Sequence, residues 1–293
     1  MKVGVYGQSN NETTKKYINL LIDILIQNEV TIVFEEKFYN YYKATNSKIK
    51  HDTFKNYSDL DKSYDLFFSV GGDGTFLRSV TFVRDLNIPI VGINTGRLGF
   101  LATIQKEKLN DSIHSILNHD YILKERTLIR ATTKNRNSEL NELNFALNEI
   151  SVIRKNISSM ISIKTLLDGE YLTTYWADGL IVATPTGSTG YSLSCNGPVI
   201  SPASKNFVLT PIAPHSLIAR PLVIPDDMKI MLKVDSREHE ALLTLDSRQI
   251  TISNYDEISI EKCDFTIKIV QLNTQTFIKT LREKLLWGED KRN

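Results

Sequence analysis

Two rhythms of apolar and polar residues divide this chain at about residue 125. In the first part, short apolar runs alternate with helical spacing. Lys2–Tyr6 reads as a strand, and Glu12–Gln27 as an amphipathic helix with Tyr17, Leu20, Leu21, Ile24 and Leu25 along one side. Val30–Phe34 is a second predicted strand, whereas residues 36–64, polar and tyrosine-rich in the middle, read as irregular. Asp65–Val70 follows as a strand, Thr75–Leu86 as a helix, Ile88–Ile93 as a strand and Gln105–Leu117 as a helix. Alternation of this kind predicts a parallel sheet covered by helices, with ligands at the carboxyl ends of the strands.

Beyond residue 125 the pattern is mostly β. Leu128–Thr133, Asn148–Arg154, Ile161–Leu167, Tyr171–Trp176 and Leu180–Ala183 are strand-like runs separated by turn residues, with Asp168-Gly169 as a hairpin turn. Val223-Ile224, Ile230–Val234, Ala241–Leu245, Ile250–Ile252, Ile258–Ile260 and Phe265–Val270 continue the rhythm. The polar stretch Lys134–Glu142 reads as a solvated loop inside a hairpin, and Thr276–Trp287 as a final helix. The expected organisation is an α/β, Rossmann-like domain over residues 1–125 and a β-rich domain over 126–272. Residues 273–293 would then carry a helix that returns to the first domain.

Composition narrows the function classes. A chain of 293 residues can bury a substantial core and is expected to form two domains. With 35 Lys plus Arg against 34 Asp plus Glu there is no electrostatic case for nucleic acid or a membrane surface as partner. The two cysteines, Cys195 and Cys263, have neither disulfide-framework nor zinc spacing, which fits a reducing cytoplasm. The start of the chain turns polar too soon for a signal peptide, and the apolar stretch Tyr17–Ile26 contains Asp23 and falls short of a membrane span. A soluble, cytoplasmic protein is expected.

Four clusters carry candidate chemistry. In the first, Gly71-Gly72-Asp73-Gly74-Thr75 sits between an apolar strand and a helix start, where backbone N–H groups and the helix dipole face an anion. A carboxylate does not help to hold phosphate, so Asp73 suggests proton acceptance or metal binding. The alternative is a tight strand-to-helix turn, with Asp73 as a cap and Arg78, one turn on, at the surface. The second cluster, Asn94–Leu101, follows a strand end and either lines the same crevice or merely sends Leu98, Phe100 and Leu101 into the core.

The third cluster is Asn148-Glu149, an amide beside a carboxylate, suited to a vicinal diol but also an ordinary strand-edge pair. The fourth runs from Asp178 to Ser194, an apolar strand leading into Thr184-Pro185-Thr186-Gly187-Ser188-Thr189-Gly190-Tyr191-Ser192-Leu193-Ser194. Small hydroxyl residues and glycines there offer many donors without bulk, Asp178 can accept from a ribose or an adenine amine, and Tyr191 can stack on a base. His51, His114, His119, His215 and His239 show no metal-ligand spacing.

In order and spacing these clusters resemble the NAD kinases, and the resemblance extends through Gly197-Pro198, Ala219-Arg220-Pro221-Leu222 and Asp246-Ser247. The glycine turn alone is shared with diacylglycerol and sphingosine kinases; the Asp178–Ser194 run is the narrower signature. The resemblance implies transfer of the γ-phosphate of ATP to the adenosine-ribose 2′-hydroxyl of NAD. It also implies a divalent metal cation such as Mg²⁺, with no metal-ligand residue assigned, and a homodimer or homotetramer. By position it makes Asp73 the proton acceptor and Gly74 the point of ligand approach, with Arg78 near the dinucleotide. Asn148 and Glu149 would meet the nicotinamide half. Asp178 and Thr189, Gly190, Tyr191, Ser192, Leu193 and Ser194 would surround the adenosine half, with Ala213 a further lining residue. Two positions depart from the family pattern: Trp176, where other members can carry a basic side chain, and Arg248, where a glutamine is common.

Overall fold

The structure, a computed structural model, describes residues 1–8, 12–43, 51–134, 140, 142–156, 159–254 and 256–287. Its residues form two compact units, 1–125 with 267–293, and 126–266.

In the first unit the elements are β1 (Lys2–Gly7), α1 (Glu12–Gln27), β2 (Thr31–Glu35), α2 (Glu36–Lys43), β3 (Asp52–Phe54), β4 (Leu66–Gly71), α3 (Asp73–Val83), β5 (Ile90–Asn94), β6 (Ile104–Gln105) and α4 (Leu109–Leu117). The strands run parallel in the order β3-β2-β1-β4-β5, with β6 beside β5. Every residue of β4 and β5 is buried, because both faces of a parallel sheet are covered. The order reverses between β1 and β4, so the carboxyl ends of those two strands flank the crevice where such sheets bind ligands. Gly71 ends β4 at that point.

Part of the stretch read as irregular is ordered. α2 has modest helix propensity, but Phe38 and Tyr39 are buried against Phe34, with ring centroids 6.2 and 5.5 Å away, and the Glu35 carboxylate accepts the Phe38 N–H at 2.8 Å. Tertiary packing overrides weak local preference here. Residues 44–50 of that stretch, and most of the polar loop 134–142, lie outside the described residues. The helix expected from Gln105 begins at Leu109, after a short strand and a turn of tighter helix at Lys106–Lys108.

The second unit contains β7 (Ile122–Thr133, from its fifth residue), β8 (Phe145–Ala146), β9 (Glu149–Arg154), β10 (Ile161–Leu167), β11 (Glu170–Ala177), β12 (Gly179–Ala183), α5 (Tyr191–Ser194), β13 (Asn206–Ile212), β14 (Leu222–Pro225), β15 (Ile230–Asp235), β16 (Glu240–Leu245), β17 (Arg248–Ser253) and most of β18 (Glu257–Gln271). One antiparallel sheet has the order β14-β13-β12-β9-β16-β17; another joins β11, β10, β15 and β18. Alternate residues such as Ile150, Val152, Leu180 and Val182 face a core shared with Ile161, Ile163, Ile230 and Leu232. On the other face of the first sheet, Ile181 and Ala183 pack with Ile200, Val208 and Ile212. Covering on both sides explains the unbroken apolar run Leu180–Ala183.

Two strand readings change. Asn206–Ile212 is a strand despite Pro211, which lies beyond the last residue paired to β14. The two runs expected near the end are one strand, β18, because Arg130 on β7 pairs with Glu261 and Asp264 in the polar middle while Cys263 is buried. The final helix, α6 (Phe277–Leu285), is capped by Thr276, whose hydroxyl accepts the Lys279 N–H at 3.2 Å. Just before it, the Gln275 amide donates to the Thr103 carbonyl. Among the described residues, no helix is long and apolar enough to cross a membrane.

Candidate active site

In the first unit, Gly71 gives the backbone room to fold into α3: a Cβ there would lie 2.3 Å from the Thr75 hydroxyl. The helix starts at Asp73, and its cap, Gly72, contributes no side chain. Asp73 does not cap the helix either. Its carboxylate reaches the loop after β5, where Oδ2 accepts the Phe100 N–H at 2.8 Å and Oδ1 accepts those of Leu101 and Ala102 at 3.0 Å each. The first two sequence clusters therefore meet at one carboxylate.

Asn94 shapes that loop, accepting the Gly96 N–H at 2.8 Å and donating to the Arg97 carbonyl at 2.7 Å. Gly99 is required by contact, since a Cβ would sit 1.9 Å from Asp73 Oδ1. A Cβ at Gly72 or Gly74 would instead meet nothing within 4 Å, so the outer side of the turn is open. Arg78 donates to the Tyr6 hydroxyl at the carboxyl end of β1, and burial pushes the Tyr6 phenol above its ordinary value. A cleft of about 340 Å³ opens beside the loop, walled in part by Asn94, Gly96 and Lys106.

In the second unit, Asn148 and Glu149 lie at the turn into β9, packed against the segment after β12. Thr184 donates its N–H to the Asn148 carbonyl at 2.9 Å and its hydroxyl to Leu147 at 2.6 Å. Gly187 crosses so close to Asn148 that a Cβ would lie 2.0 Å from its carbonyl oxygen. Gly190 faces both side chains; a Cβ there would lie 2.8 Å from Glu149 Oε2 and 3.4 Å from Asn148 Nδ2. Asn148 Oδ1 and Glu149 Oε2 are buried without a hydrogen-bond partner. Burial, then the charge of Asp246, pushes the Glu149 carboxyl up to about 8, against a hydrogen bond from the Tyr191 N–H.

Asp178 Oδ2 pairs with Arg154 at 3.0 Å, and its N–H bonds to Ile212, which places Ala213 next in the chain. Ala213 is exposed, with a φ of 43°. Tyr191 is exposed as well; burial raises its phenol, with the Asp178 charge adding to that.

The hydroxyl-rich run differs from the expectation of a donor-lined surface. Ser188 is buried, donating to Pro185 and accepting the Ile200 N–H, and buried Ser192 shares its hydroxyl with Thr210 at 2.8 Å. The Thr189 hydroxyl bonds to Thr186 at 3.2 Å. These hydroxyls hold the turn in shape, because each buried one needs a partner. Leu193 is half-buried, and Ser194 is exposed.

Sequence reasoning missed Arg154, which the β9–β12 register brings beside Asp178. It also assigned no role to Asp246, whose carboxylate accepts the N–H groups of Leu147, Asn148 and Glu149. Neither is signalled locally, since the partners are distant in the chain. Trp176 is exposed and lies against His215, ring centroids 5.2 Å apart and tilted by 37°, while Arg248 donates to the carbonyls of Leu143 and Phe145.

Comparison with known proteins places the chain in a family. Residues 3–121 match the ATP-NAD kinase N-terminal domain and residues 147–272 the ATP-NAD kinase C-terminal domain. The chain is 50% identical over 294 residues to the NAD kinase of Flavobacterium psychrophilum, spanning 100% of both chains. It is 51% identical over 295 residues to that of Christiangramia forsetii, again spanning 100% of both. The structure is similar to an Archaeoglobus fulgidus NAD kinase solved with ATP, at a TM-score of 0.75 and 26% identity over 98% of this chain and 99% of that one. It shares its fold with yeast NADH kinase solved with NADH, at a TM-score of 0.85 and 23% identity over 99% of this chain and 88% of the other.

Proposed function

The chain belongs to the NAD kinase family, and from that premise we propose that it transfers the γ-phosphoryl group of ATP to the adenosine-ribose 2′-hydroxyl of NAD, with Asp73 as proton acceptor. The observation that carries the reading is Asp73 at the start of α3, fixed by N–H groups on a glycine loop beside an open turn. A carboxylate has about four lone-pair sites. Oδ1 already accepts two N–H bonds and Oδ2 one, so Oδ2 is the oxygen free to take the hydroxyl proton.

Phosphoryl transfer has a loose transition state, so positioning and charge neutralisation supply most of the rate. Asp73 orients the hydroxyl and accepts its proton late, while the uncapped first turn of α3 offers N–H groups to the phosphates. Asn148, Glu149, Gly190 and Tyr191, which the fold gathers in one place, hold the dinucleotide together with Asp178, Thr189, Ser194 and Ala213. Arg78 contributes positive charge at the end of β1. In this reading Ser192 and Leu193 act through the shape of the turn, because the Ser192 hydroxyl is engaged by Thr210.

Among the described residues no three His, Cys, Asp or Glu side chains cluster as a metal site. We propose that the divalent cation arrives as part of the nucleotide substrate, Mg-ATP. We also propose self-association and a cytoplasmic location. Leu217 and Ile218, 90% and 86% exposed, together with Trp176 on β11 and Val223 on β14, support assembly into a dimer or tetramer, since such side chains are costly to leave in water.

Incubation of the purified protein with Mg-ATP and NAD, with NADP read through an NADP-specific dehydrogenase, tests the reading. NADP is expected to accumulate. Asp73→Asn should lower turnover by about two to four orders of magnitude while NAD still binds; unchanged turnover rules out the role given to Asp73.

A further inference from the structure

We infer that Asp246 is a positioning residue for dinucleotide binding, its carboxylate holding the backbone of Leu147, Asn148 and Glu149 in the turn that presents the Asn148–Glu149 pair to the ligand. The inference rests on the reading above, in which that pair meets NAD.

Leu147 and Asn148 lie between β8 and β9, outside both strands. Their N–H groups, with that of Glu149, converge on one side chain: Leu147 on Asp246 Oδ2 at 2.9 Å, Asn148 and Glu149 on Oδ1 at 2.8 and 3.2 Å. Asp246 is itself held. It occupies the two-residue turn between β16 and β17 with a φ of 52°, a conformation that aspartate tolerates better than most residues, and its N–H bonds to the Glu149 carbonyl at 3.0 Å. Two residues on, Arg248 donates to the carbonyls of Leu143 and Phe145. One hairpin end thus grips the backbone on both sides of Ala146.

The consequence falls on the side chains. With the backbone satisfied by Asp246, Asn148 Oδ1 and Glu149 Oε2 are left buried and unpartnered, an arrangement that a ligand donor or acceptor relieves. Asp246 also adds, after burial, to the rise of the Glu149 carboxyl. Burial raises the Asp246 carboxyl, opposed by its three N–H bonds and by the charge of Arg248. Buried, and facing the Asp246 carboxylate as well, Glu149 has its carboxyl raised to about 8. From the segment after β12 it meets the Tyr191 N–H and the face of Gly190. A neutral Glu149 donates as well as accepts, which suits a ligand hydroxyl or amide.

Steady-state kinetics with NAD and Mg-ATP, from about pH 6 to about pH 9.5, decide the matter. The wild-type KM for NAD is expected to rise above about pH 8, where Glu149 loses its proton, and the profile of Glu149→Gln to be flat. Asp246→Asn should raise KM for NAD roughly tenfold or more, as expected for lost bonds to a charged group, with a much smaller change in kcat. It should also move the rise in KM to lower pH, because Glu149 ionises sooner once the opposing charge is gone; a merely structural role would not shift that profile.

A KM within about twofold of wild type and an unmoved profile overturn the inference while leaving the wild-type activity, and so the proposed function, intact. If the wild type makes no NADP, the proposed function itself falls. Should Asp246→Asn fail to fold, Asp246→Ser, which keeps an oxygen acceptor without the charge, takes its place in the same measurements, and an unchanged KM with an unmoved profile overturns the inference.

Discussion

At the scale of single residues, the catalytic proposal depends on how Asp73 is held, and two glycines test this in opposite ways. Gly99→Ala places a methyl group where Asp73 Oδ1 now sits. Either the loop shifts or the carboxylate leaves its N–H partners, so the variant should lose about 1–3 kcal/mol of stability as well as activity. Urea unfolding beside the NADP assay measures both. Gly74→Ala meets nothing within 4 Å beyond its own helix backbone and lies inside α3, so stability should hold or rise by up to about 1 kcal/mol. If a ligand approaches there, turnover nevertheless falls. Full activity in a stabilised Gly74→Ala protein would remove Gly74 from the binding surface. The residue types Gly, Asp and Gly marked a candidate anion turn, with a plain strand-to-helix turn as the alternative. That the Asp73 side chain is engaged by Phe100, Leu101 and Ala102 was not, because those donors are backbone groups brought back by β5 and its loop.

At the scale of elements, the Thr184–Ser194 segment shows how one composition serves two ends. Its abundance of hydroxyls reads as a ligand surface, yet the buried ones bind backbone or, for Ser192, the Thr210 hydroxyl on β13. Thr184→Val, which keeps the shape and removes the oxygen, leaves the Leu147 carbonyl and the Gly187 N–H without that partner. Thermal unfolding should report a loss of about 1–3 kcal/mol. The turn into β9 gives a second test, on the free protein. The Glu149 carboxyl is raised from an ordinary 4.5 to about 8, so the folded state retains a proton that the unfolded chain has already lost. Its stabilising contribution is complete below about pH 4.5, declines as pH rises towards 8, and is gone above that value. The decline is at most about 1.4 kcal/mol per pH unit. Comparison of wild type with Glu149→Gln by chemical denaturation isolates it; identical pH dependence in the two proteins would show that Glu149 is not held protonated.

At the scale of the whole molecule, the chain builds two cores of different character. One is a parallel sheet covered by helices, around Val3, Val5, Phe68 and Val91; the other is packed from antiparallel sheets, around Val152, Leu180 and Ile230. Apolar side chains remain in water at Leu217 and Ile218. If they support assembly, the double substitution Leu217→Lys with Ile218→Glu should lower the mass seen by light scattering without lowering the unfolding temperature of the separated subunit. An unchanged mass would leave that loop out of the interface. The change from alternating strands and helices to strands alone was visible in the hydrophobic pattern because each period reports which faces an element buries. α2 and β13 escaped it: the first is held by aromatic packing on Phe34, the second runs through a proline.

Local chemistry was enough to mark the glycine turn, the Asn148–Glu149 pair and the run from Asp178, because backbone freedom, small hydroxyls and carboxylates are properties of the residues themselves. Only the folded chain decided which oxygen of Asp73 is left open, that Arg154 stands against Asp178, and that Asp246 gathers the backbone beneath Glu149. Those are relations between groups far apart along the polypeptide. Strand register and loop closure set them, and hydrogen-bond partners are chosen by distance in space.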